Sequence, residues 1–195
     1  MRILAALLCV GLAGCMSQSA IRDRAHETTL RLVFSDGTCS GTVIGPHAIL
    51  SATHCFTTGS DVQFWWMPHR IMHRMDDGHD HTIVIVDQTF THWAKLGKLG
   101  ERGSKIWMFG NPGELSDQYR AGYVAGDADA DGELAATFNI AGWLGDSGSA
   151  LFDSRGHIVA VVSFLYTMDA GAGQLTMLGA YPMHFTPGQL ARAAR

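Results

Sequence analysis

The sequence has no run of basic residues, no internal repeat and no low-complexity tract. Its 14 Lys and Arg stand against 18 Asp and Glu, a formal charge of −4, so we expect no phosphate-binding surface and no nucleic-acid partner. Glycine, in contrast, is abundant: 23 of 195 residues, about 12 % against a usual ~7 %. This composition is typical of many short strands joined by tight turns, and the length allows one large domain or two small barrels that share a core.

The first apolar run is too short to span a bilayer in a mature protein. It follows Arg2 and ends in Leu12-Ala13-Gly14-Cys15, which predicts an export signal over residues 1–14 and resembles the bacterial lipobox, where the cysteine becomes the lipid-modified first residue. An ordinary signal peptide cut nearby is the alternative. We therefore expect an exported lipoprotein that is membrane-anchored through Cys15. Met16, and not aspartate, follows Cys15. If the cell is Gram-negative, this resembles the pattern of lipoproteins that are sorted to the outer membrane, on the periplasmic side.

Two short motifs carry chemistry: Gly145-Asp146-Ser147-Gly148 offers a nucleophile in a turn, and Ser51-Ala52-Thr53-His54-Cys55 offers a base. A serine hydroxyl needs an imidazole within hydrogen-bond reach to take its proton. The glycines let the backbone turn so that the N–H groups of Gly145 and Ser147 point at one developing oxyanion. Either motif alone would more often be a loop or a structural histidine. Together they predict a serine peptidase.

With Cys39-Ser40-Gly41-Thr42-Val43-Ile44-Gly45 upstream of His54, the chain resembles the trypsin/chymotrypsin family over about residues 28–190, and most of all its compact bacterial branch. The resemblance implies an all-β fold of two six-stranded antiparallel Greek-key barrels with a short C-terminal helix. The expected barrels are residues 28–98 and 99–195, and the helix should begin at Thr186-Pro187. Polar residues without apolar periodicity predict a tether over 15–27. The active site would lie in the cleft between the barrels.

The third catalytic residue should lie between the two motifs. In the family this aspartate begins an apolar strand, and Asp80 opens the run from His81 to Val86. There it would accept the Nδ1 proton of His54. Three other aspartates, two in a polar turn-like run and one after the strand, are rivals for this role: Asp76, Asp77 and Asp87.

The four cysteines agree with export. In this interpretation Cys9 leaves with the signal and Cys15 carries the lipid. The resemblance pairs Cys39 with Cys55 in the family's disulfide beside the catalytic histidine, which an oxidising compartment favours. Two buried free thiols are the alternative.

Many family members become active when a freshly cut N-terminus pairs with the aspartate before the nucleophile, here Asp146. The sequence has no Ile-Val-Gly-Gly near its start, so another cation should pair with this buried carboxylate. The resemblance indicates Arg120, because it lies on the strand after Asn111-Pro112-Gly113, where some bacterial relatives place such an arginine; a solvated strand residue is the alternative. With this ion pair the enzyme would need no activating cut.

Alignment with the family gives four substrate-binding positions: Ala141, Ser163, Phe164 and Leu165. Ala141 lies six residues before the nucleophile, where members selective for Lys or Arg carry an acid, so we expect no preference for basic residues. Leu165 replaces a glycine that keeps many pockets open, which favours a small P1 residue or a closed pocket.

The predicted function is peptide-bond hydrolysis by a monomeric serine endopeptidase that acts on protein or peptide substrates and needs neither cofactor nor metal. One alternative is an inactive trypsin-like surface lipoprotein that serves as a binding module. The other is a metal-binding protein, although the spacing of the donors fits no closed ligand set. Those donors are Met67, His69, Met72, His73, Met75, Asp76, Asp77, His79 and His81.

Overall fold

The computed structural model describes residues 17–57, 61–113, 115–169, 171 and 173–195. The predicted export signal, Cys9 and the predicted lipidation site Cys15 lie outside these residues. Neither α-helix in the described part of the chain is long and apolar enough to cross a bilayer. The strands of the first half are β1 (Thr29–Phe34), β2 (Gly37–Val43), β3 (Ala48–Ala52), β4 (Asp61–Phe64), β5 (Met67–Asp76) and β6 (His81–Val86).

The first six strands close into an antiparallel barrel in the order β1-β2-β3-β6-β5-β4. β1 pairs with both β2 and β4, which closes the barrel. Its interior is filled by fully buried side chains such as Leu32, Ile49 and Val84. The register between β3 and β6 sets Ala52 opposite His81, so the residues that follow β3 lie beside the residue that precedes β6.

The second half forms an eight-stranded sheet in the order β13-β14-β10-β9-β8-β11-β12-β7. Its strands are β7 (Lys95–Leu96), β8 (Lys105–Gly110), β9 (Gln118–Ala130), β10 (Glu133–Phe138), β11 (Ala150–Phe152), β12 (His157–Val161), β13 (Phe164–Asp169) and β14 (Gln174–Ala180). The predicted all-β class is confirmed. The second half has eight strands and not the predicted six. The two additional strands lie at the edges of the sheet: β13 pairs with β14, and the short β7 pairs in parallel with β12.

Residues 18–26 differ from the expected tether, because Gln18–His26 form helix α1. Ser17 caps the helix by accepting a hydrogen bond from the N–H of Ala20. Ile21 and the buried Ala25, four residues apart, pack on a cluster that joins both halves of the molecule. Two apolar side chains in a polar stretch gave too weak a periodicity to predict this helix.

The C-terminal helix α2, Pro187–Ala193, begins where the sequence predicted. The Thr186 side chain accepts from the N–H of Gln189, and the Gln189 side chain accepts from the N–H of Thr186. Ala193 is buried and Leu190 partly buried in the same cluster that receives α1. Both helices therefore pack where the barrel meets the second sheet.

Candidate active site

His54 and Asp80 lie together because their strands pair. His54 is on a single turn of 3₁₀-helix, Thr53–Cys55, directly after β3, and the N–H of Thr53 donates to the Asp80 carbonyl at 3.0 Å. The His54 Nδ1 atom lies 2.8 Å from Asp80 Oδ2 and 3.0 Å from Oδ1. The backbone N–H of His54 donates to the same carboxylate at 3.1 Å. An ionised carboxylate only accepts, so Nδ1 carries the proton and Nε2 is left as the basic nitrogen.

The three rival aspartates have other partners. Asp76 pairs with Arg74 at 2.7 Å, Asp77 contacts His81 at 2.8 Å, and Asp87 lies 3.6 Å from His69. None of these bonds reaches His54. Of the four candidates, Asp80 is the one that the fold places against His54.

A disulfide joins Cys39 of β2 to Cys55, the residue after His54, which confirms the predicted pairing. The bond ties the end of the 3₁₀ turn to the barrel wall across a separation of 16 residues. Closing a loop of this size stabilises the folded state by about 3 kcal/mol in the chain-entropy model. The turn that bears His54 is therefore held from both sides, by Asp80 and by Cys39.

Ser147 lies in the loop between β10 and β11, and its backbone packs against the first barrel. The N–H of Ser40 donates to the Ser147 carbonyl at 2.8 Å, and Ser40 Oγ donates to the Gly145 carbonyl at 3.0 Å. Gly148, with φ of +82°, lies so close to the backbone of Ser40 and Ala52 that no side chain fits there. Ala52 is two residues from His54, so this close approach brings the nucleophile loop beside the base.

Within the described residues, no hydrogen bond joins Ser147 Oγ to His54. The barrel and the nucleophile loop are in contact, but the Ser147 hydroxyl is not hydrogen-bonded to the imidazole. Catalytic hydrogen bonds often tighten only when substrate binds.

Among residues 145–148 of the nucleophile loop, two of the four backbone N–H groups have no partner in the described residues. The N–H of Asp146 donates to the Trp143 carbonyl at 3.1 Å and that of Gly148 to the Val162 carbonyl at 2.8 Å. The N–H groups of Gly145 and Ser147 donate to no other described residue. Gly145 has φ of +99°, a conformation that only glycine adopts freely. These are the two donors that the sequence assigned to an oxyanion hole.

Asp146 is fully buried and forms a bidentate ion pair with Arg120 of β9. Arg120 Nη1 donates to Asp146 Oδ2 at 2.8 Å, Nη2 donates to Oδ1, and the Trp143 N–H also donates to Oδ2 at 2.9 Å. Arg120 Nη1 further donates to the Ala141 carbonyl at 2.7 Å. Gly110 of β8 lies so close to both charged groups that a side chain there would collide with them. The ion pair thus holds the loop at both Ala141 and Trp143.

The predicted substrate-binding positions flank this loop. Ala141 is exposed. Ser163 is buried, and its N–H donates to the Gly179 carbonyl at 2.9 Å. The ring of Phe164 lies over Gly179 and leaves no room for a side chain there.

Leu165 packs beside the residues that precede the nucleophile. Gly142 lies so close to Leu165 and to the fully buried Leu178 that any side chain at Gly142 would collide with both leucines. Leu165 and Leu178 therefore pack against the backbone directly after Ala141.

Sequence reasoning missed a second carboxylate–imidazole–hydroxyl chain, which is fully buried. The His81 Nδ1 atom lies 2.8 Å from Asp77 Oδ2, and both side chains have no exposed surface. On its other side, His81 Nε2 lies 3.4 Å from Ser163 Oγ. A histidine at the start of an otherwise apolar strand was the available signal in the sequence. Through these contacts His81, the residue after Asp80, is linked to Ser163, one of the predicted substrate-binding residues.

Burial alone would raise the pKa of Asp77, but hydrogen bonds from the His81 side chain and from the backbone N–H groups of His184 and His79 lower it to about 2. Because this folded-state pKa lies below the ordinary value of 3.8, the carboxylate stabilises the fold at every pH above 3.8. That contribution is lost as the pH falls toward 2.

We expect Asp77→Asn to be less stable than wild type by about 2 kcal/mol at neutral pH, with the difference shrinking as the pH falls from 3.8 to about 2. Urea unfolding of both proteins at a series of pH values, in a chelating buffer, measures this difference in stability. Asp76→Asn, which breaks only an exposed pair with Arg74, is the matched control and should change stability by less than about 1 kcal/mol. If the difference in unfolding free energy between wild type and Asp77→Asn does not change with pH, the lowered pKa of Asp77 is contradicted.

The donor-rich segment 67–81 is a strand followed by the short loop 77–80, and it does not form one ligand set. Residues 67–76 are strand β5, which spreads their side chains over both faces of the barrel wall. His69 is buried and stacks on Phe64 with ring centroids 3.8 Å apart. His73 lies 2.9 Å from Arg192 Nη1, and Met75 is buried. The segment's richness in donors is largely explained by packing.

Comparison with known proteins agrees with this geometry. A family model described as a trypsin-like peptidase domain matches residues 39–161. The active form of the Rv3671c protease from M. tuberculosis is similar, with 17 % identity, 89 % of this chain and 82 % of that chain covered, and a TM-score of 0.66. A Glu endopeptidase is also similar, with 18 % identity and a TM-score of 0.65, and with 86 % of this chain and 89 % of that chain covered.

The HtrA-type protease AlgW with a tripeptide gives 15 % identity and a TM-score of 0.69, with 90 % of this chain and 62 % of that chain covered. At these identities the structural likeness establishes the fold alone. No protein of curated function matches the chain by sequence.

Proposed function

The chain belongs to the trypsin-like peptidase family, and we propose that it is an active serine endopeptidase that cleaves through an acyl-enzyme on Ser147. The observation that carries the proposal is the bond from His54 Nδ1 to Asp80 at 2.8 Å, on a turn against which the Ser147 loop packs. A carboxylate in this position fixes the imidazole tautomer that a general base needs. To complete the triad, the Ser147 hydroxyl would then form a hydrogen bond to His54 Nε2.

In the acylation step, Ser147 Oγ adds to the substrate carbonyl carbon while His54 Nε2 takes the hydroxyl proton. The carbonyl π electrons move to oxygen, and the N–H groups of Gly145 and Ser147 stabilise the resulting oxyanion. When the oxyanion collapses, the C–N bond breaks and His54 gives its proton to the leaving amine. The acyl group is then an ester of Ser147.

In the deacylation step, a water molecule adds to the ester carbon as His54 takes one of its protons. Collapse of the second oxyanion breaks the bond to Ser147 Oγ, which recovers a proton from His54. The carboxylic acid product leaves and the starting enzyme returns. Asp80 accepts a hydrogen bond from the imidazolium in both steps and stays ionised.

We also propose that the enzyme is active on folding. The Arg120 guanidinium supplies the positive charge beside Asp146, so no amine from a new chain end is needed there. Export and lipid attachment at Cys15 belong to the same proposal and rest on residues 1–15 of the sequence. Mass spectrometry of the amino-terminal peptide tests them, because a lipidated Cys15 adds the mass of its acyl chains.

Two leucines beside Ala141 favour a substrate with a small P1 side chain. We expect Leu165→Gly to raise kcat/KM for peptides with a large apolar P1 residue by about tenfold or more relative to alanine at P1. A peptide series that differs only at P1 measures this ratio. Leu175→Gly, at a half-exposed site on β14, is the matched control and should leave the ratio unchanged. An unaltered ratio in Leu165→Gly would place the P1 pocket elsewhere.

Covalent labelling tests the central proposal. A fluorophosphonate reacts with a serine only when a base activates the hydroxyl and an oxyanion site receives the phosphoryl oxygen. Wild type should be labelled, with the adduct on the peptide containing Ser147, and folded Ser147→Ala should not. A folded wild-type protein that stays unlabelled would instead support the inactive binding module.

A further inference from the structure

Three side chains of the types that bind metals come from distant parts of the chain and meet next to the catalytic aspartate. His79 comes from the segment before β6, Glu133 begins β10, and His184 precedes α2. One ligand atom from each lies within 4.8 Å of the others. The His79 Nδ1 atom is 2.9 Å from Glu133 Oε2, and the rings of His79 and His184 stack with centroids 4.3 Å apart.

The backbone that carries both histidines is held by one buried carboxylate. Asp77 Oδ1 accepts from the N–H of His79 at 3.0 Å, and Asp77 Oδ2 accepts from the N–H of His184 at 3.0 Å. The two imidazoles are thus positioned by the same group, whose side chain has no exposed surface. A ligand set with a fixed backbone loses little conformational entropy when it binds an ion.

The chemistry of this set suits a divalent transition-metal ion. Two imidazoles and one carboxylate are a common three-residue set for Zn²⁺, with water as the fourth ligand. Ligands about 2.0–2.2 Å from a tetrahedral ion lie about 3.3 Å from one another. The pair of His79 Nδ1 and Glu133 Oε2, 2.9 Å apart, is already near this spacing, and small rotations of the exposed histidine rings bring the third ligand in.

We propose that His79, Glu133 and His184 form a Zn²⁺ site that ties the first barrel to the second sheet and to the C-terminal segment. The ion would replace the proton shared by His79 and Glu133. Because His79 directly precedes Asp80, the ion would also restrain the segment that holds the catalytic histidine. The proposal stands whether or not the chain is a peptidase.

The other histidine group near cysteine does not compete for this role. The sulfur atoms of Cys39 and Cys55 lie within 4.8 Å of a His54 ligand atom, but they are joined in a disulfide. A disulfide sulfur carries no thiolate charge and is a poor zinc ligand. His54 is nevertheless a necessary control, since zinc ions bind exposed imidazoles.

Calorimetric titration with Zn²⁺ tests the proposal. The full mature chain is used without a polyhistidine tag, in a Ser147→Ala background that prevents self-digestion, after removal of metal by a chelator. We expect one saturable site per chain. Glu133→Gln and His184→Gln should each weaken binding by at least about tenfold, whereas His73→Gln, on the outer side of β5, and His54→Gln should change it less than about twofold.

Thermal unfolding gives a second readout that does not depend on activity. Zn²⁺ at about a hundred times the dissociation constant should raise Tm by about 5–10 °C, and the increase should disappear in Glu133→Gln. Absence of saturable binding by folded protein would overturn the proposal. Binding that is lost in His54→Gln and kept in His184→Gln would overturn it as well, by moving the ion to the catalytic histidine.

Discussion

We expect Ser147→Ala to lower kcat for peptide hydrolysis by about 10⁶-fold and to leave the folded structure intact. The size of the loss follows from the chemistry, because alanine offers no atom that can form the ester. The remaining rate would come from substrate binding and from the two unpaired N–H groups of the loop. Steady-state hydrolysis of a peptide substrate, with circular dichroism of the same sample, measures both effects.

Ser154→Ala is the matched control for this substitution. Ser154 is exposed in the turn before β12, so its loss should change kcat by less than about twofold. A Ser147→Ala protein that retains a tenth of wild-type turnover would end the case for an acyl-enzyme at this residue.

Arg120→Ala should cost about 3–5 kcal/mol of unfolding free energy, because it leaves the fully buried Asp146 without its cation. It should also lower kcat by on the order of 10³-fold, since the turn that presents the oxyanion donors loses its bond at Ala141 and the cation that fixes Asp146. Urea unfolding and peptide hydrolysis measure the two losses separately. The loss of rate should fall on kcat, with KM little changed.

Two further variants show whether the charge pair itself is responsible. Arg155→Ala removes an arginine that is 69 % exposed and pairs with Asp153, so it should cost less than about 1 kcal/mol. Adding Asp146→Asn to Arg120→Ala removes the unpaired charge and should recover much of the stability without recovering kcat. Near-normal turnover in Arg120→Ala would contradict the proposed role of the ion pair.

Sequence reasoning reached the parts of the site that depend on local motifs and on strand order. Asp80 could be chosen over its rivals because it precedes an apolar strand, and the β3–β6 register then places it against His54. The disulfide was expected from the resemblance to the trypsin/chymotrypsin family, which pairs the cysteine after the histidine with Cys39. Arg120 could be named because a buried carboxylate needs a cation and the expected one was missing.

What the sequence could not give depends on contacts between distant residues or on weak local patterns. His79 and Glu133 are 54 positions apart, and nothing near either residue signals the other. The segment 67–76 reads as a polar run rich in donors, yet it forms strand β5 because pairing with β4 and β6 overrides its composition. The burial of His81 against Asp77 depends on how the segment before β6 packs, which the sequence does not show.

The bond between Cys39 and Cys55 has a further consequence for the cell that makes this protein. An enzyme completed by folding alone would attack proteins in the compartment of its synthesis. Where glutathione keeps thiols reduced, the turn carrying His54 lacks its covalent tie to the barrel wall, and the folded form is less populated. If the protein is exported as proposed, oxidation after transport would act as a safeguard and would limit damage to the producer's own proteins.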